Sequence, residues 1–477
     1  MALRESQPNT QCGVLGGCQI LLIKKLLKSF AAKGRPQRAD PGAPRLIGPD
    51  AHGLNPDKVS KGARQVVKSL VEAGYCADLV GGCVRDLLLD KRPKDFDVVT
   101  DGSPEEVRQV FPRARIVGRR FRIVHVRVGR EVIEVSTYRA GNEDEAERED
   151  SAKNKFGRIL RDNVFGTRDQ DVHRRDFTVN ALYYDINTNT VVDYVRGLDD
   201  IEAGRLRFIG DPFTRINEDP VRMLRAVRFK AKLGLALDSG LEALCRDHAR
   251  LIRHVPPARL FDEVLKLFHS GHGVETFWLL RQFGLFAELF PEADRSYGEQ
   301  DLDPDTGIVL KGLKNTDLRI SQRKPVIAAF LFACLFWRPV RLKCDRHEAK
   351  RKNHPQILQR AAFDVLGRET ERVMIPRRVS TVVIEIWDMQ SRLETRRPRM
   401  VEKLLEHRRF RAAYDFLLLR SESGEVDPGL AKWWTDIQEC DESSRQKMIK
   451  ELGSSGPPRK RRKRQRRRPK IPDGNVR

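Results

Sequence analysis

Hydrophobic and polar residues follow two different periods along this chain of 477 residues. Up to about residue 205, short apolar runs alternate with polar positions at a period of two, which predicts β-strands between short helices. The clearest of these runs are residues 77–80, 116–128 and 131–139. From residue 206 onwards, apolar residues recur at helical spacing, and no alternation predicts a second sheet. The pattern therefore predicts an α+β fold, in which a small mixed β-sheet precedes an all-helical part.

Composition sets the predicted boundaries of the domains. Residues 1–56 combine Pro, Gly and charged residues around a short basic amphipathic helix at 18–32, and we interpret them as an N-terminal extension. A targeting peptide or a membrane-surface helix is the alternative interpretation of residues 18–32. The other predicted segments are a head at 57–205, a helical neck at 206–340, a helical body at 341–450 and a disordered basic tail at 451–477. Polar residues 140–166 predict a long flexible loop, and residues 338–353 a connecting loop.

The charge of the chain indicates a polyanionic partner. A total of 90 Lys and Arg residues against 67 Asp and Glu gives a net charge of +23, which suits nucleic acid or an anionic membrane surface. The eight cysteines show no CxxC or zinc-finger spacing, so we expect reduced thiols and a cytoplasmic location. No uninterrupted apolar run is long enough to predict a transmembrane helix.

The densest chemistry lies in residues 79–100, LVGGCVRDLLLDKRPKDFDVVT. Gly81 and Gly82 follow an apolar strand and open a helix, an arrangement that lets the backbone approach an anion. Asp95 and Asp97 alternate on a second predicted strand and therefore share a face, where a divalent metal with oxygen ligands would relieve their repulsion. An anion cradle beside a metal-binding carboxylate pair predicts phosphoryl or nucleotidyl transfer. The combination argues against the alternative, a glycine turn with two surface aspartates.

Glu134 is a candidate for a third carboxylate. In the run EVIEVSTYR, Val132 and Glu134 share one face of a predicted strand, so Glu134 is available beside the aspartate pair. A cross-strand ion pair is the alternative interpretation of this residue.

A second charged stretch, IGDPFTRINEDPVRMLRAVRF, covers residues 209–229. Asp219 and Pro220 suit the N-cap and first position of a helix, along which Arg222, Arg225 and Arg228 fall on one side. Asp219 and Arg222 are three residues apart, so together they present an acceptor and a donor that can pair with a base edge. An intrahelical salt bridge with a solvated arginine stripe is the alternative.

The motifs resemble those of the polymerase-β-like nucleotidyltransferases, the family that includes CCA-adding enzymes and bacterial poly(A) polymerases. GGCVRD with KDFDVV, RRDFTVNALYYD and EDPVRMLRAVRF occur in the order that this family requires, and the resemblance covers residues 57–434. It implies that Asp95 and Asp97 bind two Mg²⁺ ions and that relatives complete such a site with a carboxylate like Glu134. The residues that it assigns to the nucleotide are Gly81, Gly82 and Arg85 at the triphosphate, Arg175 and Asp176 near the sugar, Asp219 and Arg222 at the base, and the neighbouring Arg225 and Arg228.

The choice within the family depends on features outside the base-reading motif. Adenine and cytosine present the same donor–acceptor edge, so an Asp–Arg pair alone cannot separate ATP-only polymerases from CCA-adding enzymes. IVGRRFRIVHV and HRRFRAAYDFLLLRSESGE resemble poly(A) polymerase signatures, and the tail GSSGPPRKRRKRQRRRPK suits an RNA primer of no fixed shape. Arginines 377, 378, 408, 409 and 411 suit single-stranded RNA, with surface salt bridging as the alternative.

The resemblance therefore implies transfer of AMP from ATP to RNA 3′ ends, with release of pyrophosphate and without a template. Single-stranded RNA 3′ ends and ATP are the expected partners, and RNA-decay machinery is a further candidate partner. A CCA-adding tRNA nucleotidyltransferase is the alternative function. The intact glycine and aspartate motifs argue against a third possibility, a non-catalytic RNA-binding protein on the same scaffold.

Overall fold

The computed structural model describes residues 43–118, 122–140, 165–348 and 356–454. It divides into two compact units, with the boundary between Leu289 and Phe290. The predicted helix at 18–32, almost all of the predicted loop at 140–166 and residues 455–477 of the predicted tail lie outside the described residues. The prediction of a disordered tail is wrong for residues 451–454, which belong to the helix Glu442–Ser454. Within the described ranges, no helix is both long and apolar enough to cross a membrane.

Eight strands of the first unit form one mixed sheet. Its strands are β1 (Arg45–Ile47), β2 (Ala77–Val80), β3 (Asp97–Thr100), β4 (Arg115–Val117), β5 (Ile123–Val128), β6 (Glu131–Thr137), β7 (Leu182–Asp185) and β8 (Thr190–Asp193). Their order is β1-β8-β7-β2-β3-β6-β5-β4. β3 and β6 run parallel, whereas the other neighbours run antiparallel. Two further short strands, β9 (Arg205–Leu206) and β10 (Ala236–Leu237), pair in parallel away from this sheet.

Some helices of the first unit lie between the strands of the sheet in sequence, and the others follow the last of these strands. The helices are α1 (Pro49–His52), α2 (Lys61–Glu72), α3 (Gly82–Leu88), α4 (Pro104–Val110), α5 (Arg168–Arg174), α6 (Gly197–Glu202), α7 (Pro212–Glu218), α8 (Val221–Leu233), α9 (Leu241–Asp247), α10 (Pro257–Phe268), α11 (Gly273–Gln282) and α12 (Leu285–Leu289). α2 begins with the side chain of Ser60 accepting the Ala63 N–H, and it buries Val66, Val67 and Leu70. A mixed sheet followed by helices confirms the predicted fold class.

The fold begins earlier than the sequence predicted. β1 pairs antiparallel with β8, and Ile47 and Leu54 are buried. The prediction that the N-terminal extension reaches residue 56 is therefore wrong for residues 45–56. A three-residue strand that buries only Ile47 is too short to show a period of two.

The second unit is helical apart from its connections, within the residues that the structure describes. Its helices are α13 (Pro291–Ser296), α14 (Ile308–Ser321), α15 (Ala328–Glu348), α16 (Ile357–Arg372), α17 (Arg377–Thr395), α18 (Pro398–Leu405), α19 (Phe410–Glu422), α20 (Pro428–Glu439) and α21 (Glu442–Ser454). α15 packs against α16 and α17.

The predicted connecting loop at 338–353 is wrong as far as residue 348, because α15 continues through Pro339. Phe336, Val340 and Cys344 recur every four residues and are all buried. This apolar face continues past the proline, whose cost is one missing backbone hydrogen bond and local crowding. The predicted neck–body boundary at residue 340 consequently falls inside a helix.

Candidate active site

The turn between β2 and α3 can be made only by glycine without strain. Gly81 has φ 78° and ψ −130°, a conformation that L side chains rarely adopt. A Cβ atom there would also lie 3.4 Å from Nη1 of Arg175. The backbone conformation therefore requires glycine at this position, and a Cβ atom would in addition touch Arg175.

Asp97 and Glu134 lie side by side at the centre of the sheet. Asp97 opens β3, and its register partner on the parallel strand β6 is Glu134. Burial, together with the charges of Glu134 and Asp95, raises the pKa of Asp97 to about 6, although Arg175 opposes the rise. The carboxylate of Asp97 is thus held in a negative environment that a cation would relieve.

Asp95 does not share the strand with Asp97, so that part of the prediction is wrong. Pairing of β3 with β2 begins at Val98, opposite Leu79, and Asp95 lies in a bend before the strand. Its side chain is 71% exposed, with an oxygen 3.8 Å from Nζ of Lys94. Side chains alternate between the two faces of a sheet only where a strand is paired, and Asp95 lies before the paired residues of β3.

The position of Glu134 agrees with both interpretations that the sequence left open. Besides its position next to Asp97, it lies opposite His125 on β5, with Oε1 3.4 Å from Nε2 of that histidine. The cross-strand ion pair and the third-carboxylate position therefore coexist in one side chain.

The chemistry of these carboxylates suits a hard divalent cation, although they are not preassembled as a cage. Within the described segments, no three His, Cys, Asp or Glu side chains form a group that could hold a metal ion. Asp97 and Glu134 are adjacent, and Asp95 would have to turn inwards to join them. The oxygen donors fit Mg²⁺, which is held in such sites by one or two carboxylates and by substrate phosphates.

A hydrogen-bonded chain connects the helix of the glycine turn to α8. Arg85 donates to the side chain of Asn180, whose Nδ2 donates in turn to Asp176 at 3.3 Å. Asp176 also accepts from Arg225 of α8. Burial opposes ionisation of Asp176, but Arg225 and Asn180 outweigh it and lower its pKa. This chain fixes two predicted nucleotide-binding arginines relative to each other.

The side chains of Asp219 and Arg222 do not bond to each other. Asp219 lies between α7 and α8, and its two carboxylate oxygens accept from Nη1 and Nη2 of Arg259 in α10 at 2.9 and 2.6 Å. Arg222 donates instead to Glu218 at 2.6 Å and to the backbone oxygen of Arg215 at 2.7 Å. Each residue of the pair is thus neutralised by a different partner, while both still face the same cavity.

The site is a cavity of about 440 Å³ within the first unit. Its lining residues are Gly81, Gly82, Arg85, Asp97, Arg174, Arg175, Asp176, Asn180, Asp219, Arg222, Arg225, Phe229, Arg259 and Glu263. All the predicted site residues line it except Asp95, Glu134 and Arg228. Arg228 instead stacks on Phe229, with its guanidinium carbon 4.7 Å from the ring centroid.

Sequence reasoning missed several lining residues, among them Asn180, Phe229, Arg259 and Glu263. Asn180 and Phe229 lie inside the motifs RRDFTVNALYYD and EDPVRMLRAVRF, so their place in these motifs could have identified them as site residues. Arg259 and Glu263 are one helical turn apart on α10, whose apolar pattern predicted only a helix. Nothing along the sequence indicates that this turn reaches Asp219.

Three of the five predicted RNA-contacting arginines of the second unit form surface ion pairs. Arg408 and Arg409 both pair with Glu385, and Arg411 pairs with Asp415. The alternative interpretation, surface salt bridging, is therefore realised at these three positions.

Comparison with protein families places the cavity in context. The model of the Poly A polymerase head domain matches residues 77–207, that of the Probable RNA and SrmB-binding site of polymerase A residues 234–296, and that of the Polymerase A arginine-rich C-terminus residues 350–468. Poly(A) polymerase I of Escherichia coli O157:H7 is 42% identical over 465 residues, which cover 96% of this chain and 98% of that protein. The chain belongs to the poly(A) polymerase I family. Its Haemophilus influenzae member is 44% identical over 83% of this chain and 89% of its own length.

Other relatives of this poly(A) polymerase I family member are more distant. The CCA-adding enzyme of Lactobacillus helveticus is 35% identical over 240 residues, which cover 50% of this chain and 57% of that protein. Among solved structures, a tRNA-processing enzyme in its apo form I matches with a TM-score of 0.58 and 20% identity, covering 83% of this chain and 98% of that one. This likeness confirms the fold. Family membership also confirms that the chain is an enzyme, a nucleotidyltransferase. Of the two functions that the sequence predicts, it favours poly(A) polymerase over the CCA-adding enzyme.

Proposed function

We propose that this enzyme polyadenylates RNA without a template. The 3′-hydroxyl of the RNA attacks the α-phosphate of ATP, an AMP unit is added, and pyrophosphate leaves. The observation that carries the proposal is one cavity that combines the Gly81 turn, the Asp97 carboxylate and several arginines. Glu134, outside the lining, is the register partner of Asp97 on the neighbouring strand. Membership of the poly(A) polymerase I family supports the same activity.

In this proposal the carboxylates hold the metal ions, and the arginines bind the phosphates of the substrate. Asp97 and Glu134, joined by Asp95, would hold two Mg²⁺ ions, which supply activation of the hydroxyl and stabilisation of the leaving oxygens. Arg85 would bind the triphosphate. We assign Arg175 to the same anion, rather than to the sugar as the resemblance implies, because its Nη1 lies beside the Gly81 turn. The Gly81 turn brings backbone N–H groups close to the same anion.

Base selection is proposed for Asp219 and Arg222, which line the same cavity. Arg222 offers donors and Asp219 offers acceptors, which suit the amino group and ring nitrogen of adenine. Because Glu218 and Arg259 already hold these side chains, neither is free to adapt to a different base. A cavity sized for a purine would leave cytosine loosely placed.

RNA 3′ ends and ATP are the partners that the proposed reaction requires. Contact with RNA-decay machinery, a cytoplasmic location and membrane-surface contact through residues 18–32 stay predictions from the sequence. The last of these falls outside the described residues.

The deciding experiment offers each nucleoside triphosphate separately to the enzyme with a short oligo(A) primer and Mg²⁺. We expect repeated addition of AMP and far weaker use of CTP, with the Asp97→Asn variant as the inactive control. Efficient addition of C, C and A to a truncated tRNA, stopping after the final A, would assign the enzyme to the CCA-adding class instead.

A further inference from the structure

The shortest hydrogen bonds of Arg175 lie on one side of its guanidinium. Its Nη2 donates to Oδ2 of Asp171 at 2.8 Å, and its Nε lies 3.1 Å from both Asp171 Oδ2 and the hydroxyl oxygen of Tyr183. Tyr183 donates its own hydroxyl hydrogen to Asp171 Oδ2 at 2.7 Å. Three side chains from α5, the residue after it and β7 thus share one hydrogen-bonded centre.

The other edge of Arg175 faces the cavity. Nη1 lies 3.5 Å from the backbone oxygen of Asn180 and 3.4 Å from the position of a Cβ atom at Gly81. Burial opposes the charge of the guanidinium, but Tyr183 and Asp171 outweigh it, so the pKa of Arg175 is raised. The anchored edge therefore stabilises the charged guanidinium, and the other edge presents its charge at the glycine turn.

The anchor itself is shielded from the cavity. Tyr183 is fully buried and Asp171 is 7% exposed, and neither lines the cavity. Burial lowers the pKa of the nearby Arg139, and Asp171 opposes this effect, so this carboxylate acts on two cationic side chains. A substrate in the cavity would meet Arg175 and not the two residues behind it.

We propose that Asp171 and Tyr183 are positioning residues for nucleotide binding, which act by fixing Arg175 Nη1 against the Gly81 turn. A long arginine side chain loses rotamer freedom when it binds a phosphate, and an anchor that has already removed this freedom strengthens binding. This inference rests on the proposed function, because it takes the triphosphate of ATP as the anion that Nη1 meets.

The same unit contains a matched triad that does not face the cavity. Asp78 accepts from the hydroxyl of Tyr138 and from Nη2 of Arg168 at 2.6 Å, and Arg168 Nε donates to the Tyr138 oxygen at 3.3 Å. The chemistry and burial resemble those of the anchor, but none of these three residues lines the cavity. Tyr138→Phe is therefore a control for the structural cost of removing a buried tyrosine hydroxyl.

The test measures kcat and KM for ATP, KM for oligo(A), binding of a non-reactive ATP analogue by calorimetry, and the melting temperature. Asp171→Asn should lower kcat/KM for ATP and weaken analogue binding by about tenfold or more, because a charge-assisted hydrogen bond is lost. Tyr183→Phe should lower both by roughly threefold to tenfold. Both variants should leave KM for oligo(A) within about twofold, and Asp171→Glu, which keeps the charge, should recover part of the loss.

A double-mutant cycle with Arg175→Ala separates positioning from general stability. If the anchor acts through Arg175, Asp171→Asn should cost less than about twofold once Arg175 is already alanine. Losses that multiply in the double variant would overturn the proposal, as would an equal loss of analogue binding in Tyr138→Phe. If the wild type binds the analogue but adds no AMP, the proposed function fails, while the effect of the anchor on binding still decides this inference.

Discussion

Replacing Asp97 by asparagine should destroy activity and at the same time stabilise the protein. Burial together with Glu134 and Asp95 raises the pKa of Asp97 to about 6, from the 3.8 of an ordinary aspartate. Between these two pH values, folding takes up a proton. The free energy of unfolding therefore falls as the pH rises from about 4 to 6, and the loss is complete above pH 6.

The size of this effect follows from the shift. A pKa that is raised by about 2 corresponds to a change of about 3 kcal/mol in the free energy of unfolding. Solvent screening of a partly exposed side chain reduces this change to about 1–2 kcal/mol. Asparagine has nearly the same shape and no charge, so Asp97→Asn should gain this amount above pH 6 and almost nothing at pH 4.

Urea-induced unfolding at pH 7.5 and pH 4, in EDTA and in Mg²⁺, measures the gain. Asp95→Asn is the matched control, because its exposed side chain should change activity without a comparable gain in stability. Mg²⁺ should stabilise the wild type more than Asp97→Asn, since it binds the folded carboxylate. An unchanged free energy of unfolding for Asp97→Asn at pH 7.5 in EDTA would refute the view that this carboxylate is held under electrostatic strain.

Three further predictions concern the Gly81 turn, Arg222 in the proposed base site and the basic tail. Gly81→Ala should lower kcat/KM for ATP at least tenfold and destabilise the protein by about 1–2 kcal/mol, measured by kinetics and urea unfolding, because alanine adds strain and crowds Arg175. Arg222→Ala should lower the ratio of kcat/KM for ATP to that for CTP by roughly tenfold, with little change in primer binding by gel shift; an unchanged ratio would remove Arg222 from base selection. Deleting residues 459–470 should flatten the salt dependence of RNA binding, measured by titration at several salt concentrations, since each neutralised phosphate contributes about 0.7 to the slope; an unchanged slope would mean that the tail does not contact RNA.

The fold and much of the site could be predicted because their signals are local. Alternation on a single strand predicts that Glu134 is available beside the aspartate pair, and the structure brings Glu134 into register with Asp97. The arginines of α8 were found from helical spacing, and Arg222 and Arg225 line the cavity.

What could not be predicted depends on pairing between distant segments. The bend at Asp95 follows from where β2 stops pairing with β3, a property of two strands together. Arg259 reaches Asp219 across 40 residues of sequence, and only the packing of α10 against α8 brings them together. Likewise, the continuation of α15 past Pro339 reflects burial of Val340 and Cys344, which a charged local composition conceals.

The parallel pairing of β3 with β6 also constrains how the enzyme can reach its active state. β5 and β6 are antiparallel neighbours close in sequence, so they can form early, whereas β3 must close a loop from Asp97 to Glu134 before the two carboxylates meet. Chain entropy opposes this closure, and electrostatic repulsion between the carboxylates opposes it further. During refolding, we therefore expect catalytic competence to appear after the β5–β6 hairpin, when the last central strand enters the sheet.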